Sequence, residues 1–352
     1  VSDRSRIEWT DATWNIATGC TRVSAACDHC FIERTPPLRM AGRRFDRPGI
    51  GATTGVLLHP ERLEQPLHWR KPRRIFVCSL ADLFHKDVPD DLIARLWAVM
   101  AATPQHTYQI LTKRPARMRA LLSSIDFDLA VADAWSALGT SAGSLDGGDH
   151  TPPYPLPNVW IGVTVEDQDM ADQRIPVLLD TPAAVRWISA EPLLGPIDLS
   201  RGDGCARNWL PDLDPGGEES SYTDPTVVCC GCGMPYPCNQ GCAHLDWVVL
   251  GGESGPGSRP MHPDWARNLR DQCADTDVPF YFKAWGNWCP PAELPDESFR
   301  DWEAADGTSR DHDRSLRFRS PKVTGRLLDG VLCDQYPTTY APPLMAGKET
   351  TT

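Results

Sequence analysis

"NVWIGVTVEDQDMADQRIPVLLDTPAAVRWISA", residues 158–190, is the stretch that decides the fold class. Its ends, "NVWIGVT" (158–164) and "AVRWISA" (184–190), are apolar almost throughout instead of alternating, as strands buried on both faces are. Between them, "DQDMADQRIPVLLDT" (167–181) reads as an amphipathic helix. A buried strand, a helix and a second buried strand form one turn of a parallel β/α fold.

The same grammar extends in both directions. "RIFVCS" (74–79) precedes "DDLIARLWAVMAAT", whose Leu92, Ile93, Leu96, Trp97 and Met100 recur at helical spacing. "TYQILT" (107–112) precedes "RPARMRALLSS". "LDWVVLGG" (245–252) leads to the helix "PDWARNLRDQCAD", and "PFYFKAW" (279–285) follows. The expected fold is α/β, a complete or partial (β/α) barrel over residues 1–286. Two segments interrupt the rhythm: 124–157, rich in Gly, Ser and Pro, and 200–244, rich in Asp, Gly, Pro and Cys. Both read as insertions in the barrel. Residues 287–352 read as an irregular, polar C-terminal extension.

Composition narrows the function classes. The 352 residues are 41% hydrophobic and 23% charged, and no apolar run approaches the roughly 20 residues of a membrane span. The first residues lack the apolar core of a secretory signal, so the thirteen cysteines are expected in a reducing cytoplasm, where metal binding or catalysis outranks disulfides. The net charge of −12 is uneven: residues 1–122 hold 19 Lys+Arg against 12 Asp+Glu, and the remainder 16 against 35. The basic excess lies in "GRRFDR", "RKPRR" and "TKRPARMR", and reads as a phosphate-facing rim or as ordinary solvated surface. No G-x-S-x-G elbow, G-x4-G-K-[ST] phosphate loop or H-E-x-x-H zinc motif is present.

In parallel β/α folds chemistry gathers at the carboxyl ends of the strands. Here those ends carry Ser79 and Asp82, then Thr112, Lys113 and Arg114, then Thr164 and Glu166, then Ser189 and Glu191, then Glu253, and finally Lys283. One such residue is more often a helix cap than a catalyst. Six strands ending this way predict a common polar pocket. Lys113, Glu166, Glu191, Glu253 and Lys283 are its candidate catalytic groups, and Lys113 and Arg114 its candidate holders of a phosphate or carboxylate.

"TGCTRVSAACDHCF" (18–31) places Cys20, Cys27 and Cys30 in one loop before the first clear strand-helix unit. A closed zinc site wants four ligands. A [4Fe-4S] cluster on three thiolates keeps one iron free to chelate the amino and carboxylate groups of S-adenosylmethionine. The other reading is zinc completed by His29 or a distant ligand.

"IEWTDATWNIATGCTRVSAACDHCF", "ADLFHKDVP", "TPQHTYQILTKRP", "VWIGVTVED", "AEPLLGPIDL", "DWVVLGGESG" and "FYFKAWG", in order over residues 7–286, resemble the phage-associated three-Cys-motif family of uncharacterised proteins, itself similar to radical S-adenosylmethionine enzymes. The resemblance implies a barrel of radical S-adenosylmethionine type. It also implies a [4Fe-4S] cluster on Cys20, Cys27 and Cys30, with S-adenosylmethionine over the open iron. Phe31 or His29 is then placed for the adenine, Ser79 and Asp82 for the methionine amino group, and Thr112, Thr164 and Ser189 around the same cofactor. The first gap here holds six residues, where the commonest radical S-adenosylmethionine spacing has three. Gly251, Gly252 and Glu253 end a late strand, so they are not equivalent by position to the early Gly-Gly-Glu stretch of those enzymes.

A second group, Cys229, Cys232, Cys238 and Cys242, lies in the 200–244 insertion. Four thiolates suit a closed zinc site that would order a segment poor in apolar residues, or an auxiliary iron-sulfur cluster. The expected activity is radical chemistry on a nucleic-acid base or nucleotide, in modification or repair, with a separate electron donor for the cluster. The rival is a zinc-stabilised nucleic-acid-binding protein without catalysis.

Overall fold

A computed structural model of the chain describes residues 5, 7–138, 152–200, 209–211, 243–290, 317–318 and 324–338. Seven strands form one sheet: β1 (Ala12–Trp14), β2 (Arg74–Val77), β3 (Thr107–Thr112), β4 (Val159–Thr164), β5 (Val185–Ala190), β6 (Trp247–Gly251) and β7 (Phe280–Ala284). Their order in the sheet is their order in the chain, and every pairing is parallel. Helix α1 (Asp90–Ala101) joins β2 to β3, and α2 (Pro115–Leu122) with α3 (Ile125–Ala137) joins β3 to β4. Helix α4 (Gln168–Leu179) joins β4 to β5, and α5 (Pro263–Asp275) joins β6 to β7.

The helices form where the apolar spacing requires them. Leu92, Ile93, Leu96, Trp97 and Met100 make the buried stripe of α1, behind Asp90 and Asp91, whose charges suit its N-terminus. The side chain of Asp167 accepts a hydrogen bond from the Met170 amide at 2.9 Å, capping α4, a contact worth about 1 kcal/mol.

Trp9 reveals the curvature of the sheet. In a flat sheet β2 and β6 would lie four strand spacings apart, roughly 19 Å. The Trp9 ring centroid is 4.8 Å from Phe76 on β2, 5.3 Å from Trp187 on β5 and 6.1 Å from Trp247 on β6. One indole reaches all three only if the sheet curls around it. β1 and β7 do not pair, so of the two expected forms the chain takes the partial barrel.

Three boundaries differ from the sequence reading. Segment 124–157 opens with α3, whose Phe127 and Val131 are buried. The Gly-rich composition begins only after that helix and masked its short apolar stripe. Within 200–244, Trp209 and Leu210 enter the core, and the Leu245 amide bonds to the Trp209 carbonyl at 2.8 Å. The C-terminal extension returns to the sheet. Cys333 and Gln335 exchange backbone bonds with β7, from the Phe282 amide to the Cys333 carbonyl at 2.9 Å and from the Gln335 amide to the Phe280 carbonyl at 3.2 Å. Tyr336 then stacks near Trp247 at 5.3 Å and under the Arg74 guanidinium at 4.1 Å, so this segment joins β7 to β2 beneath the curl.

Candidate functional site

Side chains alternate across a strand, so register identifies the row that faces into the curl. Gln109 pairs with Trp160, Trp160 with Val185, Trp187 with Trp247, and Val249 with Tyr281. These residues build an aromatic floor around Trp9. Further toward the carboxyl ends the same row turns small and polar, through Gly162 and Thr164 on β4, Ser189 on β5, Gly251 on β6 and Lys283 on β7. The opposite row, Ile161, Val163, Ile188, Val248 and Leu250, packs in the main core. Inside the curl, the tryptophans therefore lie below and the small and polar positions lie toward the carboxyl ends.

The three-cysteine loop lies over that face. The Gly19 amide bonds to the Leu80 carbonyl beyond β2, at 2.8 Å. Gly19 has φ +98°, and a Cβ there would stand 1.9 Å from the Gly55 carbonyl oxygen, so the turn that presents Cys20 needs glycine. Side chains fasten the loop to three strand ends. Arg114, after β3, donates to the Cys20 thiol at 3.8 Å and to the Thr21 carbonyl at 2.8 Å. The Ser24 hydroxyl donates to Glu166, after β4, at 3.0 Å. His29 Nδ1 meets Glu253, after β6, at 3.0 Å, and Arg259 bonds both Glu253 and the Ala25 carbonyl.

The predicted strand-end residues gather as paired charges. Asp82 accepts from the Thr112 hydroxyl at 2.7 Å, from Arg114 at 2.7 Å, and from the Phe84 and Lys113 amides at 3.0 Å each. All four bonds come from protein donors. Lys113 donates to Thr164 at 2.8 Å and forms an ion pair with Glu166. Lys283 pairs with Glu191 at 2.6 Å, and the Ser189 hydroxyl donates to Glu191 at 3.1 Å. A Cβ on Gly251 would stand 2.7 Å from the same Glu191 carboxylate, so the glycine makes room for it. Ser79 exchanges bonds with Asn15 after β1, and Phe31 stands half-exposed beside Cys30.

Burial and neighbours set the charges. Burial alone would raise the carboxyl of Glu166, but Lys113 and Arg174 outweigh it and hold the group below its ordinary range. Burial likewise opposes ionisation of Glu253, and Arg259 with His29 brings it down. Desolvation would lower Lys283, whereas Glu191 holds it above its ordinary value. At neutral pH these are anions and cations, so Glu253 acts as an acceptor and not as a resting acid.

The three thiols are free, and each lies within electrostatic reach of the others. Burial, then the Asp82 carboxylate, pushes the Cys20 thiol up to about 12; burial also raises Cys30. Among the described residues, no three His, Cys, Asp or Glu side chains gather closely enough to share a single metal ion. A cube of iron and sulfide is bound through three different corners, so its thiolates stand further apart than the ligands of one ion. Three neighbouring thiols in one loop fit such a group in donor chemistry; Arg114 beside Cys20 and Lys113 near Cys30 favour the thiolates, but burial, and Asp82 at Cys20, outweigh them. Cys229, Cys232, Cys238 and Cys242 lie outside the described residues.

Sequence reasoning missed Arg174 and Ser24. Arg174 donates to both oxygens of Glu166, at 3.2 and 3.0 Å. It sits with Ala171, Ile175 and Leu178 on the buried face of α4. A cation at a core position of an amphipathic helix is a legible signal that a buried anion awaits it. Ser24 carries no comparable signal, since its role depends on where the loop lands.

The chain belongs to a family described as protein of unknown function (DUF5131), whose profile matches residues 4–337. No curated protein and no solved structure matches it.

Proposed function

We propose that this member of a family of unknown function is a radical S-adenosylmethionine enzyme, with Cys20, Cys27 and Cys30 holding a [4Fe-4S] cluster at the carboxyl mouth of a partial barrel. The observation that carries the reading is the fastening of the three-thiol loop to three strand ends through Arg114, Ser24 and His29. With its cluster reduced by a separate donor, the bound cofactor supplies a 5′-deoxyadenosyl radical for hydrogen abstraction.

The protein's share is to hold, orient and exclude water. The aromatic floor closes the pocket from below, and the loop covers it from above. Glu166, bonded to Lys113, Arg174 and Ser24, fixes the loop at its middle. Glu253 fixes it at its end. The Glu191–Lys283 pair keeps about a third of the lysine side chain and part of the carboxylate exposed, which leaves it open to a polar substrate. Ser79, Thr112, Thr164 and Ser189 surround the space for the cofactor in this reading, and the half-exposed ring of Phe31, the expected adenine contact, is left to the substrate. Asp82, with four protein donors, positions Arg114 and Thr112 in this reading. The basic first third of the chain favours a nucleic-acid base or nucleotide as substrate, and thiol-dependent chemistry suits the reducing cytoplasm. Among the described residues no helix is long and apolar enough to cross a membrane.

The test is anaerobic reconstitution with iron and sulfide, metal analysis, and an assay for 5′-deoxyadenosine. The wild-type protein is expected to be brown and to cleave S-adenosylmethionine; Cys20→Ala, Cys27→Ala and Cys30→Ala should each lose most of both signals. A colourless, iron-free protein that binds zinc would replace this reading with the non-catalytic one. Cys232→Ala with Cys238→Ala should release about one equivalent of zinc and leave the iron in place. Loss of iron from that double variant would instead assign the insertion an auxiliary cluster.

A further inference from the structure

The connection from β1 to β2, residues 15–73, holds ten Lys+Arg against five Asp+Glu, a net +5 within a chain of net −12. Its arginines differ in kind from the cations of the pocket. Lys113, Arg114, Arg174, Arg259 and Lys283 each face a carboxylate. Arg34, Arg39, Arg44 and Arg47 are exposed, and among the described residues none of them pairs with one. Their charge is uncompensated.

This basic segment is also stitched to the three-cysteine loop. The Thr54 amide bonds to the Cys20 carbonyl at 3.0 Å, the Arg22 amide to the Ala52 carbonyl at 2.8 Å, and the Gly51 amide to the Arg22 carbonyl at 2.9 Å. Arg43 ties the Thr18 carbonyl to that of Gly55, and Arg22 stacks on Phe45 at 4.1 Å. The segment that carries the exposed cations is therefore anchored to the three-cysteine loop. Among them the surface is apolar: Phe31 next to Cys30 is 50% exposed, Met40 82% and Ile50 71%.

We propose that this segment is a docking face for single-stranded nucleic acid, with Phe31 as a stacking platform for a base and Arg39, Arg44 and Arg47 as phosphate contacts. The proposal deepens the nucleic-acid part of the function above, and rests on that reading for why a strand should approach this site. Uncompensated cations beside an exposed ring are the combination that holds a strand by its phosphates and by the faces of its bases. A single strand is favoured over a duplex because the strand-end groups lie beneath the loop, and a base reaches them only after leaving its stack. The exposed apolar side chains are scattered over 3-10 turns, one helical turn and loops. They do not form one face of an amphipathic helix, which argues against a membrane surface.

The experiment is fluorescence anisotropy of a labelled, mixed-sequence single-stranded oligonucleotide with the full-length, reconstituted chain between about 50 and 200 mM salt. The triple variant Arg39→Gln, Arg44→Gln, Arg47→Gln should reduce the slope of log K against log salt by about 2, at roughly 0.7 per lost contact on a single strand. The matching Arg→Lys triple should restore the slope. Phe31→Ala should weaken binding about 10-fold at every salt concentration with the slope unchanged. An unaltered slope in the glutamine triple, or a preference for phosphatidylserine vesicles over the oligonucleotide, would overturn the proposal. Iron content of the same samples separates the two ideas. A protein that holds no cluster yet binds as described retains the docking face and sinks the radical chemistry. A protein that holds the cluster and ignores the strand does the reverse.

Discussion

Glu166 is 1% exposed and ionised, which is tolerable only because Lys113, Arg174 and Ser24 all donate to it. Removing one partner strands the charge. Arg174→Met is expected to cost about 3 kcal/mol of stability by urea denaturation, the scale for breaking a buried pair. The pH dependence follows in sign. The folded pKa of Glu166 lies below its ordinary 4.5, so its contribution is complete above about pH 4.5 and is lost as pH falls through the folded value. Glu166→Gln should flatten the acid limb of the stability curve below pH 4.5, with little change in its shape between pH 6 and 8. An acid limb as steep as that of the wild type would show that the carboxylate is not held as described. Lys113, Glu166, Glu191 and Glu253 were legible because each ends an apolar strand. The contacts to Glu166 and Glu253 from Ser24 and His29 were not, because those two residues arrive from a loop some 140 and 220 residues away in sequence.

Strands β4 and β5 meet at Gly162 and Trp187. A Cβ on Gly162 would lie 2.5 Å from the indole ring, with no flexible tip to yield. Gly162→Ala should therefore destabilise by about 2 kcal/mol through overpacking. Trp187→Phe in the same chain should recover part of that loss, so a double-mutant cycle by thermal or urea unfolding should give a non-zero coupling. Additive effects would mean the two residues do not touch. On α4, Asp167→Ala should cost about 1 kcal/mol for the lost cap. The strand and helix types of these elements were readable from period and apolarity. Helix α3 was obscured because the Gly- and Ser-rich run that follows it dominated the composition of its segment.

Across the whole molecule, the last described segment closes what the open sheet leaves exposed. Residues 333–335 occupy the outer edge of β7, Trp247 Nε1 donates to the Gln335 carbonyl at 2.9 Å, and Tyr336 lies between Trp247, Tyr281 and Arg74. An unpaired edge strand is a template for association. Truncation after residue 323 should raise amide exchange over β7, increase aggregation and lower thermal stability. Tyr336→Ala should cost about 2 kcal/mol, since aromatic pairs contribute beyond their buried area. Unchanged exchange in β7 after truncation would show that the segment only rests on the sheet.

The sequence by itself determined the parallel β/α class, the positions of six of the seven strands, and the loading of strand ends with polar side chains. Those features are local: apolar period, strand length and the residue that follows a strand are all written within a few positions. Tertiary structure alone decided that the sheet is a partial barrel and that Trp9 fills its curl. It also decided that the cysteine loop is fastened by Arg114, Ser24 and His29, and that the C-terminal segment covers β7. Each of these depends on which distant residues meet, and curvature, loop landing and edge closure leave no period in the chain for a sequence to display.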